Sequence, residues 1–397
     1  MLVNNHLGIT FILSILFILI NYKIFKVLQE TLSIEKNIAK IIFFTHLFFS
    51  MCFLINDFFS LFGISPGSDA TGYYFNAYDE IFFNNIDFIV GRGHERFIYF
   101  VYYLKKLHID FFSLNFLFGI LGSTSILIYY SCISRYFSDK YDKFIILIFV
   151  LLPSFNYWSS GITKDVLGIF AISLLILSYI KNSIYIFICS LFILILFKIY
   201  LGLIVIITMA LSLILIGSYN LIFKKTNILF NKKIDIKILL IIITLFFLGI
   251  IIGKVFFFKD ITNIINTIIQ FQNMYPGENF INQKNFFLRI FEYIGRPFIT
   301  ENKNLFFTIF SIEGIYIYIV LTFLTLRIIF NKNFAIKNYK IDHKFFIIVS
   351  FFAIGCFQIL ITSNIGIALR QKWIFLPGII FSLIYYRNLL LNKSRYK

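Results

Sequence analysis

Residues 111–134 read FFSLNFLFGILGSTSILIYYSCIS, a stretch with no charged side chain and no proline. A helix crossing the hydrocarbon core of a bilayer needs about 20 such residues. Comparable apolar runs recur on both sides of it, at 7–27, 38–62, 143–157, 164–181, 183–197, 200–223, 236–256, 305–327, 345–362 and 373–391. Together they make eleven expected spans. Two breaks between runs are short: PSFNYWSSG at 153–161, where proline and glycine interrupt the pattern, and KIYLG at 198–202. The runs flanking them are short as well. Each break reads either as a full turn or as a re-entrant kink, which sets the count at ten to twelve. The expected fold is all-α: one polytopic membrane domain covering 1–397.

Composition points the same way. Of 397 residues, 59% are hydrophobic, 20% aromatic and only 14% charged, with a mean hydropathy of +0.87. Ordinary soluble domains carry roughly 25% charged residues. A soluble globule of this length cannot hide so much apolar surface, which excludes a cytosolic enzyme, a nucleic-acid binder and a disordered chain. The net charge of +17 is therefore a question of sidedness. With the loops assigned alternately, one side takes 22–40, 135–143, 181–183, 224–237, 327–344 and the C-terminal tail. With charges inside the runs assigned to the nearer side, that side holds 22 Lys and Arg against 6 Asp and Glu, and the other holds 14 against 13. Cationic loops stay in the cytoplasm, so the N-terminus is expected outside and the C-terminus, with Lys393, Arg395 and Lys397, inside. The bilayer and its anionic headgroups account for the charge without a nucleic-acid partner. Cys52, Cys132, Cys189 and Cys356 lie in or beside apolar runs without ligand spacing. They read as small core hydrophobes. The first run lacks a basic leader and a cleavage site and reads as a retained helix.

The two longest connections, 63–110 and 257–304, fall on the outer side, as do both short breaks and 363–372. Connections this long seldom lack structure. Tyr73–Phe88 and Phe97–Leu107 are aromatic and amphipathic, and read as helices lying at the interface. No internal repeat or second soluble domain is visible.

Residues suited to chemistry collect on this outer side. Asp69, followed by Gly72, Tyr73 and Tyr74, reads as a general base or sugar-binding carboxylate, or as the cap of a helix starting near Ala70. Arg92 and Arg96 lie four apart, on one face if helical, and paired guanidiniums clamp phosphate; a solvated loop with a Glu95–Arg pair is the plain alternative. Lys164 and Asp165 enter a hydrophobic run, which is costly and suggests function, against simple snorkelling at headgroup level. Trp158, Ser159 and Ser160 beside them suit a sugar. Lys198 and Tyr200 suit the same cavity, or Lys198 snorkels. Arg296 is stiffened by Pro297, and Glu301 follows. Glu313, about two turns into its run, is expected to face the protein interior. Arg370 is placed to reach a phosphate or pair with one of these acids, while Lys372 and Trp373 read as interfacial anchors. Glycine-rich nucleotide loops, HExxH and EF-hand patterns are missing from the sequence.

The segments PSFNYWSSGITKD (153–165), GRPFITEN (295–302) and IALRQKW (367–373), with the span count and the arginine-bearing outer loops, give the chain its resemblance. It resembles the bacterial O-antigen and capsular polysaccharide polymerases of the Wzy type, and more loosely the wider GT-C-like membrane glycosyltransferases. In GT-C enzymes the acid usually follows the first span, whereas Asp69 follows the second. The resemblance implies a glycosyltransferase in the bacterial inner membrane that polymerises oligosaccharide repeat units carried on undecaprenyl diphosphate, in O-antigen or capsule (lipopolysaccharide or related) biosynthesis. It implies no metal and no nucleotide cofactor, and a flippase and a chain-length regulator as partners. In that picture Arg296 and Arg370 hold the diphosphate, supported by Arg92, Arg96, Lys164 and Lys198. Asp69 is the base or hydroxyl-orienting carboxylate, with Asp165 or Glu301 as second choice, and Tyr73, Tyr74, Tyr157 and Trp158 are sugar platforms. A GT-C transferase using a polyprenyl-phosphate sugar and a repeat-unit flippase without chemistry are the competing readings.

Overall fold

The computed structural model describes residues 7–59, 69–77, 93–135, 140–222, 286–298, 305–330, 343–361 and 365–395. The expected span at 236–256 lies outside them, as do most of 257–304 and part of 63–110. The described residues form fourteen helices and no strand. In chain order they are α1 (Leu7–Thr31), α2 (Lys36–Phe59), α3 (Asp69–Asn76), α4 (Gly93–Lys106), α5 (Phe111–Ser134), α6 (Lys140–Val150) and α7 (Pro153–Trp158). The second half has α8 (Lys164–Lys181), α9 (Ile184–Phe197), α10 (Ile199–Ile222), α11 (Phe286–Gly295), α12 (Leu305–Ile329), α13 (His343–Ile361) and α14 (Ile365–Arg395).

Four of these are long and apolar enough to cross a membrane by length and composition: Ile12–Thr31, Lys36–Asn56, Phe111–Ser134 and Thr308–Ile329. The chain is thus an all-α membrane protein. Its centre is α5, sheathed by protein over 83% of its apolar window, whereas α1 is covered over only 11% and lies at the periphery. Small residues let neighbours close on α5: Ser113, Gly119, Gly122, Ser123 and Ser125 are all buried, as expected where helices associate by close packing and not by squeezing out water. Asp110 starts it, its carboxylate accepting from the Ser113 backbone N–H at 3.0 Å. Beside α5 lies α8, which carries α9 on its far side and α14 along its flank.

The two ends of the bundle are held by different bonds. At one end the α1–α2 turn is tied to the C-terminus of α5, since Ser131 Oγ and Arg135 Nη2 donate to the Leu32 carbonyl at 3.3 and 3.1 Å. Near the α6 N-terminus, Asp142 pairs with Arg327 of α12 at 3.1 Å. At the other end of α5, Phe111 meets Tyr74 of α3 at 5.2 Å between ring centroids, so α3 and α4 lie over that end.

Three expectations change in detail. The run 143–157 is not one helix: α6 stops at Val150, and Pro153 opens α7 as its first residue, where its missing N–H costs nothing. The last helix begins at Ile365, so Arg370 and Lys372 lie inside α14 and not in a loop at 363–372 before it. The cysteines divide: Cys132 is buried and Cys52 half-buried, but Cys189 and Cys356 sit on exposed helix faces. In a membrane protein an apolar face turned outward meets lipid as favourably as protein, so small apolar residues need not be core residues.

Candidate functional site

The corner between α6 and α8 is where regular backbone gives way inside the protein. Ser154–Tyr157 and Ser159–Thr163 are buried, and backbone at such a position needs internal hydrogen-bond partners. The polar side chains of this segment supply them. Asn156 donates its side-chain amide to the Val150 carbonyl (2.9 Å), left over by the end of α6, and to the Leu152 carbonyl (3.0 Å), which also accepts the Asn156 backbone N–H at the start of α7. The Ile162 N–H donates to Asn115 Oδ1 at 3.2 Å, and Thr163 caps α8 by accepting from Val166 N–H. Ser160 donates to the Asn156 carbonyl at 2.7 Å and joins Ser50 and His46 of α2 through 2.8 and 3.3 Å contacts. Gly161 has φ +80° and lies flat against the Phe53 ring, so a side chain there would be strained and would also collide.

This corner delivers Asp165 in the first turn of α8, where the positive end of the helix dipole favours a carboxylate. Asp165 is buried and pairs with Lys198, which is buried as well. Lys198 occupies the one-residue break between α9 and α10. That break is a sharp turn: a Cβ on Gly202 would lie 2.8 Å from Ile195 Cγ1 and 3.1 Å from the Ile195 nitrogen. In a continuous helix residues seven apart are separated by about 10 Å along the axis. Arg370, in the second turn of α14, brings its Nε to 3.8 Å from the other Asp165 oxygen and its guanidinium 5.8 Å above the Trp158 ring. Lys164 adds its positive field at the same carboxylate. Two members of the cluster are sealed, with 2% and 4% of the Lys198 and Asp165 side chains exposed, while Arg370 keeps 17%. Across the α9–α10 turn, Gln358 of α13 donates to Tyr200 Oη at 3.2 Å, and its buried Oε1 has no hydrogen bond among the described residues.

Helices α3 and α4 dock on the same turn. Arg96 of α4 donates Nη1 to the carbonyls of Ile195 (3.3 Å) and Leu196 (3.5 Å), which the end of α9 leaves open. Burial pushes the Arg96 guanidinium below its ordinary pKa, and Glu95 opposes that shift. Phe97 stacks edge-on between Tyr73 (4.7 Å) and Phe197 (6.1 Å). Lys105 donates to the Tyr74 carbonyl at 2.8 Å with its amine 4.1 Å above the Tyr74 ring, and burial lowers that amine to about 8.

Arg296 lies just past the end of α11. That helix is fastened to α14 by Lys372, whose Nζ donates to the Ile294 carbonyl at 3.4 Å, two residues beyond Arg370. It is fastened to α13 by Arg289 Nε donating to the Ile359 carbonyl at 2.7 Å. Glu313 of α12 is buried, as expected, and accepts from the Ser154 N–H (2.8 Å) and from the Ser154 hydroxyl.

The structure therefore gathers Arg96, Trp158, Lys164, Asp165, Lys198 and Arg370 around one end of α8 and α9, with Arg296 just past the end of α11, which is fastened to α14. The aromatic residues divide: Trp158 is half-buried beside Arg370, Tyr74 is half-buried under Lys105, and Tyr73 and Tyr157 are core residues. Asp69 is the first residue of α3; Arg92 and Glu301 lie outside the described residues. Sequence reasoning missed Gln358, the His46–Ser50–Ser160 group and Glu292, one turn before Arg296, whose buried Oε2 has no hydrogen bond among the described residues. The available signal was a histidine one turn before a serine inside an apolar run, at 46 and 50. Among the described residues no group of three or more His, Cys, Asp or Glu is placed to hold a metal ion.

These features define an all-α membrane protein with a buried charge cluster at one end of its bundle. No protein-family model, curated protein or solved structure matches the chain.

Proposed function

We propose that the chain is a membrane glycosyltransferase that lengthens a glycan carried on undecaprenyl diphosphate, joining repeat units at the outer face of a bacterial inner membrane in O-antigen or capsule biosynthesis. About eleven spans would place the Asp165 cluster outside and the C-terminus in the cytoplasm. One observation carries the reading: Arg370 is held between the sealed Asp165–Lys198 pair and the Trp158 ring, yet keeps an accessible edge. A guanidinium fixed by a buried carboxylate is preorganised, and a planar cation beside an indole suits a phosphate next to a sugar ring.

In the reaction a hydroxyl oxygen of the incoming unit bonds to the anomeric carbon of the growing chain as that carbon's bond to the diphosphate breaks. The hydroxyl proton passes to a carboxylate, and negative charge develops on the departing diphosphate. Arg370 and Arg296 take that charge, with Arg92, Arg96 and Lys164 in support. Lys198 positions Asp165, which positions Arg370. Asp69 is the proposed acceptor of the proton, with Glu301 as second choice. The test is the lipid-linked glycan of cells lacking the gene: single repeat units should remain on the carrier while long chains disappear, and unaltered long chains would overturn the proposal.

A transporter of anionic lipid-linked glycans is the second reading. It is favoured by the buried Asp165–Lys198 pair at a sharp break between two apolar helices, a feature that transporters use at their binding sites. Loss of even single units from the outer face in the same cells would select it.

A further inference from the structure

The opposite end of the bundle holds a groove that the reading above leaves unused. It lies between α1 and α2 beside their connecting turn and is lined by Tyr22, Phe25, Lys26, Lys36, Lys40 and Phe43. Its floor is apolar: Phe25 and Phe43 are each 3% exposed, their centroids 5.2 Å apart, and Tyr22 meets Phe43 edge-on at 5.5 Å. Its mouth is cationic. Lys36 and Lys40 are one turn apart on α2, facing Lys26 of α1, and all three are exposed. None of the three makes an ion pair among the described residues, although Glu30 and Glu35 are close in sequence. Lys36 and Phe43 are seven residues apart on one helix, so the groove runs about 10 Å from charge to aromatic floor. The surface leading away from it is apolar and uncovered, with Ile41 47%, Phe44 57% and Ile20 37% exposed.

We infer that this groove binds an anionic glycerophospholipid, its phosphodiester at Lys26, Lys36 and Lys40 and the start of an acyl chain on Phe25 and Phe43. Three lysines lining one groove, none of them ion-paired among the described residues, match a phosphate charge, and lysines at a membrane boundary attract acidic headgroups by about fivefold each. An apolar floor one headgroup deep, continuous with a lipid-facing flank, suits a chain-bearing ligand and not a soluble anion.

The test uses the full-length protein in nanodiscs holding equal amounts of phosphatidylglycerol and phosphatidylcholine, with spin-labelled versions of each reporting the immobilised lipid. Phosphatidylglycerol should be enriched about tenfold or more at the protein surface, and millimolar inorganic phosphate should not displace it. Lys26→Gln/Lys36→Gln/Lys40→Gln, all at exposed positions, should abolish the preference, while Lys143→Gln/Lys181→Gln, basic positions elsewhere, should leave it. Equal immobilisation of the two lipids, displacement by inorganic phosphate, or the same loss in both variants would overturn the inference. The groove lies at the end of the bundle away from Arg370, so neither result bears on glycan chemistry.

Discussion

Replacing Asp165 with alanine should destabilise the protein more than any other single change in the cluster. Lys198 is 2% exposed and would keep its charge with no carboxylate beside it. Removing one partner of a buried ion pair costs about 3–5 kcal/mol, because the remaining charge stays desolvated. Arg370 loses the same partner, but at 3.8 Å and with 17% of its side chain exposed it can turn toward solvent or headgroups and adds little. Exchanging both buried charges for apolar side chains of similar volume, Asp165→Leu/Lys198→Met, removes the desolvation cost, and such exchanges are often neutral or stabilising by about 1–4 kcal/mol. The double variant should therefore recover most of what the alanine variant loses. Thermal unfolding in detergent, followed by loss of the monodisperse peak in size-exclusion chromatography, should show Asp165→Ala several degrees below the parent and the double variant near it. A parent-like Asp165→Ala, or a double variant no better than the single, would refute the buried pair.

Two other outcomes follow from local geometry. Gly161→Ala meets the Phe53 ring and a φ of +80° together, and should cost about 1–3 kcal/mol as overpacking does. Phe53 is itself buried, so the comparison is made in a Phe53→Ala background in the same thermal assay, where the ring is gone and Gly161→Ala should cost less, keeping only the part due to backbone strain. Lys105, with its pKa lowered to about 8 by burial, binds its proton less tightly folded than unfolded, where the value is 10.5. Docking of α4 on α3 should therefore gain as pH rises from about 8 toward 10.5 and lose as pH falls back through 8. Isotope-edited NMR of reductively methylated protein should show this amine titrating near 8, and titration near 10.5 would contradict its burial.

The apolar runs were readable because a bilayer demands length and uniform hydrophobicity: described helices overlap ten of the eleven expected ranges, although 143–157 is divided between two helices and four helices are long and apolar enough to cross a membrane. Boundaries failed where charge is neutralised at a distance. Arg370 and Lys372 look like the outside of a helix, yet they lie within α14 because Asp165 and the Ile294 carbonyl receive them. Pro153 looked like a terminator and is an initiator. The partner of Lys198 is Asp165, 33 residues earlier, and no periodicity joins them. The charge balance sorted the connections between runs into two groups, and the contacts of Lys198, Arg96 and Arg370 bring three segments of one group together at one end of the bundle. Which aromatic rings remain accessible was not legible, since Tyr157 and Trp158 are adjacent yet only Trp158 keeps an open side.

The most direct measurement reconstitutes the purified protein in liposomes with an undecaprenyl-diphosphate oligosaccharide and follows glycan length and free undecaprenyl diphosphate. The parent should build a ladder of longer glycans, releasing one carrier per joining event. Arg370→Ala and Arg296→Ala should each slow the ladder on the order of 10²-fold or more, as loss of a charge-stabilising donor does, while still inserting in the membrane. A parent that builds no ladder, or arginine variants that build it at the parent's rate, would contradict the account.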